Sequence, residues 1–284
     1  MINRHASALV PTTLFVLLWS SGAIVSKIGL QYGSPFALLI ARYLVALVAL
    51  AGVAVWSGIF LPARASRSRV ILVGLSIAGL YSACYLLALD NGMTPGALAT
   101  LLGIQPILTL ILTERRATAG RLLGLGCALA GLLLVVWDGL VAARFDMLGL
   151  LFAGLSLAGI TTGSILQKKE DQAPWIVLPM QYIVGLAFAG AIAPFGPLHA
   201  SWEPGFVLPV LWLGIVISVA ATFLLYRLIA RGNLVNVTSL FYLVPGVTAA
   251  MDWLILDNPM SGYAIIGLSL VVVGLLAVFR ESCS

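Results

Sequence analysis

The chain has 284 residues, of which 61% are hydrophobic and only 9% are charged. Soluble domains carry about 25% charged residues, so this composition cannot cover a water-soluble surface and marks an integral membrane protein. The net charge of +5 does not argue for nucleic acid, because the basic residues sit at the ends of apolar segments, as membrane topology requires.

Ten helices are predicted in chain order, over 11–31, 35–57, 70–90, 94–113, 118–137, 147–167, 174–194, 206–231, 235–256 and 262–280. Each is close to the roughly 20 apolar residues that span a bilayer. Continuous rather than alternating hydrophobicity excludes a β-barrel, so the fold class is all-α integral membrane. Several segments begin at proline, which suits a first helical turn. The first follows Asn3-Arg4-His5 and superficially suits a signal peptide. It belongs to the repeat described next, so it is read as a retained helix.

Two stretches match across half the chain. Pro35-Phe36 through Arg42-Tyr43 align with Pro174-Trp175 through Gln181-Tyr182 at a shift of 139. At similar shifts Ser20-Ser21-Gly22 meets Thr161-Thr162-Gly163, Lys27 meets Lys168, Gly74 meets Gly214, Gly92 meets Gly232 and Pro106 meets Pro245. Gly124 and Gly131 meet Gly267 and Gly274 at a shift of 143. This reads as a duplicated five-helix unit, over 8–138 and 146–281. Five is odd, so the second copy must be inverted in the membrane, as in many secondary transporters.

With both termini placed in the cytoplasm, the inner side carries Arg64, Arg67, Arg69, Arg121, Lys168, Lys169, Arg227 and Arg231, among others, while Arg144 is the one basic residue in an outer loop. That asymmetry predicts cytoplasmic termini. The loops are short. The longest, 195–205, is rich in proline and glycine and could cover an outer opening.

No phosphate-binding GK[ST] loop and no HExxH or GxSxG signature occurs, and His5 and His199 are far apart, so an enzyme is not expected. Cys84 and Cys127 lie inside apolar segments as packing residues, and no metal-ligand spacing occurs. No cofactor is implied.

The residues suited to handling a solute lie near mid-membrane. Pro106 and Pro245 fall about 18 Å and 15 Å along their helices at 1.5 Å per residue. Each removes a donor and strands the carbonyl four residues earlier, at Leu102 and Phe241. Such carbonyls are tolerated where protein, polar side chains or water reach them, which suggests kinked helices beside a central cavity. Tyr81 and Tyr85 share one helix face and suit an aromatic wall with hydroxyl tips. Trp19, Ser20, Ser21, Gln105 and Tyr242 lie at similar depth and are candidates for the same space. Arg42 lies about 10 Å below the end of its helix and must face the interior with a partner. A structural ion pair, carbonyl contacts or a substrate carboxylate would each serve. Asp252 is the one acid inside a predicted span and the candidate partner. Gly120 and Gly124 have the GxxxG spacing of a helix-packing face.

Trp19-Ser20-Ser21-Gly22 with Lys27, the helix start from Pro35 to Arg42, the Pro106 helix followed by Glu114, and the glycine-rich end of each half together resemble the EamA-type drug/metabolite transporter superfamily. The resemblance covers nearly the whole chain. It implies ten helices in two inverted repeats, placed in a bacterial inner membrane and often exporting metabolites. The aromatic cavity candidates are most similar to the YddG-type exporters of aromatic and other amino acids. Glu114 is matched only by Asp257, after an extra turn, so the end of the second half departs from the pattern. The four-helix small multidrug relatives carry a carboxylate in their first helix. The segment 17–25 has none, which favours movement of substrate down its gradient over obligatory proton exchange. The expected function is therefore outward transport of amino acids or similar small metabolites by alternating access, as a monomer in the lipid bilayer without nucleic acid. The alternatives are an exporter of cationic drugs or nucleotide-like metabolites, and a passive channel.

Overall fold

A peptide group in hydrocarbon must find its hydrogen-bond partner within the protein, and helices satisfy this locally. The computed structural model describes residues 2–57, 61–114, 118–137, 141, 146–247, 250 and 261–281. Its main elements are α1 (Ile2–Leu30), α2 (Pro35–Ser57), α3 (Arg64–Asp90), α4 (Pro95–Thr113), α5 (Ala119–Val135), α6 (Met147–Gln167), α7 (Pro174–Phe195), α8 (Pro204–Arg231), α9 (Leu234–Val247) and α10 (Gly262–Glu281). Eight of these are long and apolar enough to cross a membrane by length and composition, and α5 and α9 are shorter apolar helices. Among the described residues the one β-type pairing is an isolated bridge between Gly33 and Ala200.

The helix starts follow local chemistry. Thr94, Thr118 and Asn233 accept hydrogen bonds from the first free N–H groups of α4, α5 and α9, the ordinary N-cap role. The α3–α4 turn places Gly92 at φ +84, a left-handed conformation that glycine adopts without strain. α3 begins at Arg64 rather than near residue 70. Ser66 N–H bonds the Ala63 carbonyl and Arg67 bonds the Pro62 carbonyl, so a polar turn extends the helix where hydropathy gives no signal.

Among the described residues, four helices are irregular in their interiors, in two matched pairs. α4 is interrupted at Gly103-Ile104, just before Pro106, between Pro95–Leu102 and Gln105–Thr113. α9 tightens into a 3-10 turn over Leu240–Tyr242, just before Pro245. The predicted end of that helix, at 251–256, lies outside the described residues. α3 widens into a π-helical stretch over Gly74–Tyr81, and α8 does so over Trp212–Ala221. These stretches coincide at the sequence shift of about 140, and so do their hydrogen bonds. Ser82 Oγ donates to the Ile77 carbonyl (3.0 Å) and Thr222 Oγ1 to the Ile217 carbonyl (2.9 Å). The Tyr43 hydroxyl of α2 donates to the Ala78 carbonyl (2.5 Å), and the Tyr182 hydroxyl of α7 donates to the Ser218 carbonyl. A π turn disturbs the regular i to i−4 ladder, and the hydroxyls supply donors to its carbonyls. The two tyrosine rings lie 5.1 Å apart in the centre of the main core.

Glycine contacts between the halves are reciprocal too. A Cβ on Gly74 would lie 3.0 Å from the Gln181 backbone, and one on Gly214 would lie 2.9 Å from the Arg42 carbonyl oxygen. At the interface of α5 and α10, a Cβ on Gly131 would lie 2.5 Å from the Gly267 oxygen, and the converse distance is also 2.5 Å. Gly124 and Gly274 repeat the arrangement, at 2.9 and 2.5 Å. Backbones approach this closely only where no side chain intervenes.

Gly131→Ala and Gly267→Ala should each destabilise the protein by about 1–3 kcal/mol through overpacking. Gly126→Ala and Gly154→Ala, where an added Cβ meets nothing within 4 Å, should leave the thermal unfolding midpoint in detergent unchanged or slightly raised.

Candidate functional site

The irregular segments surround a cavity of about 90 Å³. One water needs about 10–15 Å³ on this measure, so the space exceeds an isolated hydration site. Helices of both halves line it. α1 contributes Trp19 and Ser26, α2 Arg42, α3 Tyr81, Ser82 and Tyr85, and α4 Gln105. From the second half, α6 adds Ile160, α8 adds Leu213 and Ile217, and α9 adds Phe241.

The aromatic groups form two clusters. The Trp19 ring meets Phe241 edge-on at 5.4 Å, backed by Phe15 at 5.3 Å. Tyr81 and Tyr85 lie 5.8 Å apart, one turn from each other. The polar groups are held by the opposite half. Gln105, one residue before Pro106, donates from Nε2 to Ser164 Oγ (3.3 Å). Val244, one residue before Pro245, receives Ser20 Oγ on its carbonyl (3.3 Å). Each broken helix is therefore pinned, beside its proline, to the first helix of the other half. Arg42 Nε donates to Ser218 Oγ (3.0 Å), and its guanidinium lies 5.3 Å from the centre of the Tyr43 ring.

Polar links also join the halves at both ends of the bundle. On the basic side, Arg121 is 5% exposed and pairs with Glu114, while its second terminal nitrogen donates to Asn233 (3.1 Å) and Asn236 (3.3 Å). Asn233 donates back to Glu114 (3.2 Å). Within the second half, Lys168 Nζ donates to the carbonyls of Ile229, Ala230 and Gly232, capping the open end of α8. On the other side, the Ser34 and Ser201 N–H groups bond the carbonyls of His199 (2.9 Å) and Tyr32 (2.8 Å). The segment expected to cover an outer opening thus pairs with the α1–α2 turn.

The EamA-like transporter family matches this sequence twice, over residues 8–137 and 144–280. The chain belongs to that family. It is 25% identical over 282 residues to an Escherichia coli K12 protein named "Probable amino-acid metabolite efflux pump", covering 92% of this chain and 91% of the relative. The protein of the same name from Salmonella typhimurium LT2 is 25% identical over 284 residues, with the same coverage. A solved crystal structure shares the fold at a TM-score of 0.75 and 19% identity, covering 98% of each chain. This EamA protein is thus a membrane transporter by family, with both halves of its sequence accounted for.

The EamA fold brings together some of the residues singled out in the sequence and separates others. Trp19, Tyr81, Tyr85, Gln105 and Arg42 line one cavity. Ser20 lies behind the wall, on the Val244 carbonyl. Ser21 turns outward to accept the Trp212 indole N–H (2.8 Å). Pro106 and Pro245 break the helices without lining the space. Tyr242 is buried in a separate cluster with Leu110, Leu125 and Val271, because the 3-10 turn rotates Phe241 into the cavity in its place. Asp252, the candidate partner of Arg42, lies outside the described residues. Ser26 and Ser82 join the wall without having been singled out, and Phe241, expected only to offer a freed carbonyl, lines it as well. Ser82 was legible only as the neighbour of Tyr81, and the widened turn brings both to one face.

Tyr81→Ala or Tyr85→Ala should lower solute flux by roughly threefold to tenfold, the worth of an aromatic contact, while the detergent-extracted protein stays monodisperse. Normal flux in both variants would make these tyrosines packing residues.

Proposed function

We propose that this protein exports amino acids or similar small metabolites across a bacterial inner membrane, by alternating access between two inverted five-helix halves of about 8–138 and 146–281, with both termini cytoplasmic. The observation that carries this reading is the position of the cavity. It lies where the two halves meet, between two pairs of matched helix irregularities. Inverted-repeat transporters place their sites in that way, using broken helices whose freed backbone groups face the site. Reciprocal contacts support the symmetry. Tyr43 and Tyr182 act on matched carbonyls, and Gly131 and Gly267 exchange roles across one interface.

The amino-acid class draws on the names of the two relatives and on the amphipathic wall, which joins aromatic rings to Gln105, Ser26 and Arg42. The basic side supports a carrier over an open pore, because the Arg121–Glu114–Asn233 cluster ties the α4–α5 turn to the start of α9. Opening that side requires these charge-assisted bonds to break, and the energy for that must come from new contacts in the other state.

Counterflow in proteoliposomes tests the reading. Unlabelled amino acid inside should accelerate entry of labelled amino acid, because a loaded carrier reorients faster than an empty one. Flux without acceleration would indicate a channel, and absence of flux for all amino acids would remove the proposed substrate class. In the same assay Pro106→Ala and Pro245→Ala restore a backbone donor and should slow exchange severalfold without preventing membrane insertion.

A further inference from the structure

We infer that the cavity selects its solute by a carboxylate and not by an ammonium group, so that amphipathic monocarboxylates lacking an amino group are ligands alongside amino acids. This deepens the proposed function and rests on the cavity being the solute site. Arg42 supplies the formal charge of the wall, and no aspartate or glutamate is among the described residues that line it. Among the described lining residues an ammonium group would meet only neutral oxygens and ring faces, beside a like charge. A carboxylate would meet a guanidinium.

The pose of Arg42 suits that task. Its Nε is engaged by Ser218 Oγ and its plane is held near the Tyr43 ring. The two terminal nitrogens make no hydrogen bond or ion pair with the described residues, whose ion pairs are Arg69–Glu170 and Arg121–Glu114. Two parallel N–H donors are what a carboxylate accepts in bidentate fashion.

The duplicated half sharpens the point. The position matching Arg42 holds Gln181, which is 2% exposed and satisfied. It donates to Gln167 Oε1 (3.1 Å) and accepts from the Tyr226 hydroxyl (2.7 Å). The fold therefore tolerates a neutral side chain, hydrogen-bonded at both its nitrogen and its oxygen, at this place in the repeat. On the cavity side it keeps a cation whose two terminal nitrogens have no partner among the described residues, and a charge inside a membrane protein is costly to keep. The aromatic groups around it, Trp19, Phe241, Tyr81 and Tyr85, provide an apolar wall for the rest of the solute.

The experiment is calorimetric titration of the purified full chain with three solutes of matched side chain, L-phenylalanine, 3-phenylpropionate and L-phenylalaninamide. The two carboxylates should bind with affinities within about threefold of each other, and the amide should bind roughly tenfold or more weakly. Arg42→Gln should weaken both carboxylates by roughly tenfold or more and leave the amide nearly unchanged. Arg42→Lys, a point charge without the fork, should fall between. Should the glutamine variant fail to fold, the ranking of the three solutes on the unaltered protein still decides. An amide that binds as well as phenylalanine, an acid that does not bind, or carboxylate binding indifferent to Arg42→Gln would each overturn the inference. Failure of transport is separable. Counterflow of amino acids with an amide that binds equally well sinks only the carboxylate rule, whereas selective carboxylate binding without counterflow sinks only the carrier.

Discussion

A backbone carbonyl that leaves the helical ladder inside a membrane must be met by another donor, and this constraint organises the molecule. Among the described residues four helices depart from the ladder beside the cavity, and side chains meet carbonyls in three of them, α3, α8 and α9. Tyr43 and Tyr182 donate to carbonyls in the widened stretches of α3 and α8. Ser82 and Thr222 donate to the carbonyls one residue earlier, of Ile77 and Ile217, and Ser20 reaches the carbonyl before Pro245. A buried group left without such a partner would cost about 1–3 kcal/mol. Irregular backbone can therefore persist only where these donors converge, and they converge at the centre of the bundle, around the cavity.

The same economy explains where charge is allowed. Arg121 is almost wholly buried, yet it is tied to Glu114 and two asparagines on the basic side. Lys168 spends its donors on the carboxyl end of α8. Arg42 is different, since it lines the cavity and, among the described residues, only its Nε is hydrogen-bonded. On the proposed reading that space holds the solute, and Arg42 would give it a preference for a carboxylate.

Composition, helix order and duplication were legible in the sequence because each depends on patterns that survive without coordinates. Few charges, apolar runs of spanning length and repeated prolines and glycines need no tertiary information. Pro106 and Pro245 also marked the breaks in α4 and α9, since proline alters the backbone wherever it stands. The π-helical stretches of α3 and α8 were not legible. Their sequences are mostly apolar and carry no signal of the wider turn, and their register is set by α2, α6 and α7, through contacts such as Tyr43 on Ala78 and Gly159 against the Ser76 carbonyl. Facing could be read for Tyr81 and Tyr85, which lie one turn apart where the widened stretch ends, but not for Tyr242. There a 3-10 turn changes the rotation per residue, and Phe241 takes the cavity position. Ser20 and Ser21 were legible as a polar pair at the correct depth, yet adjacent residues on a helix point in different directions, and neither lines the wall.

The central claim is that the two halves move so that the cavity opens to one side at a time. Paired spin labels on the full chain, in a background without native cysteines, test it directly. One pair, at Thr118 and Gly232, spans the basic side, and the other, at Gln31 and Ser201, spans the opposite side. Addition of a transported solute should shift the two distance distributions in opposite directions, one lengthening as the other shortens. Distances that change together, or that do not respond to solute, would contradict the account.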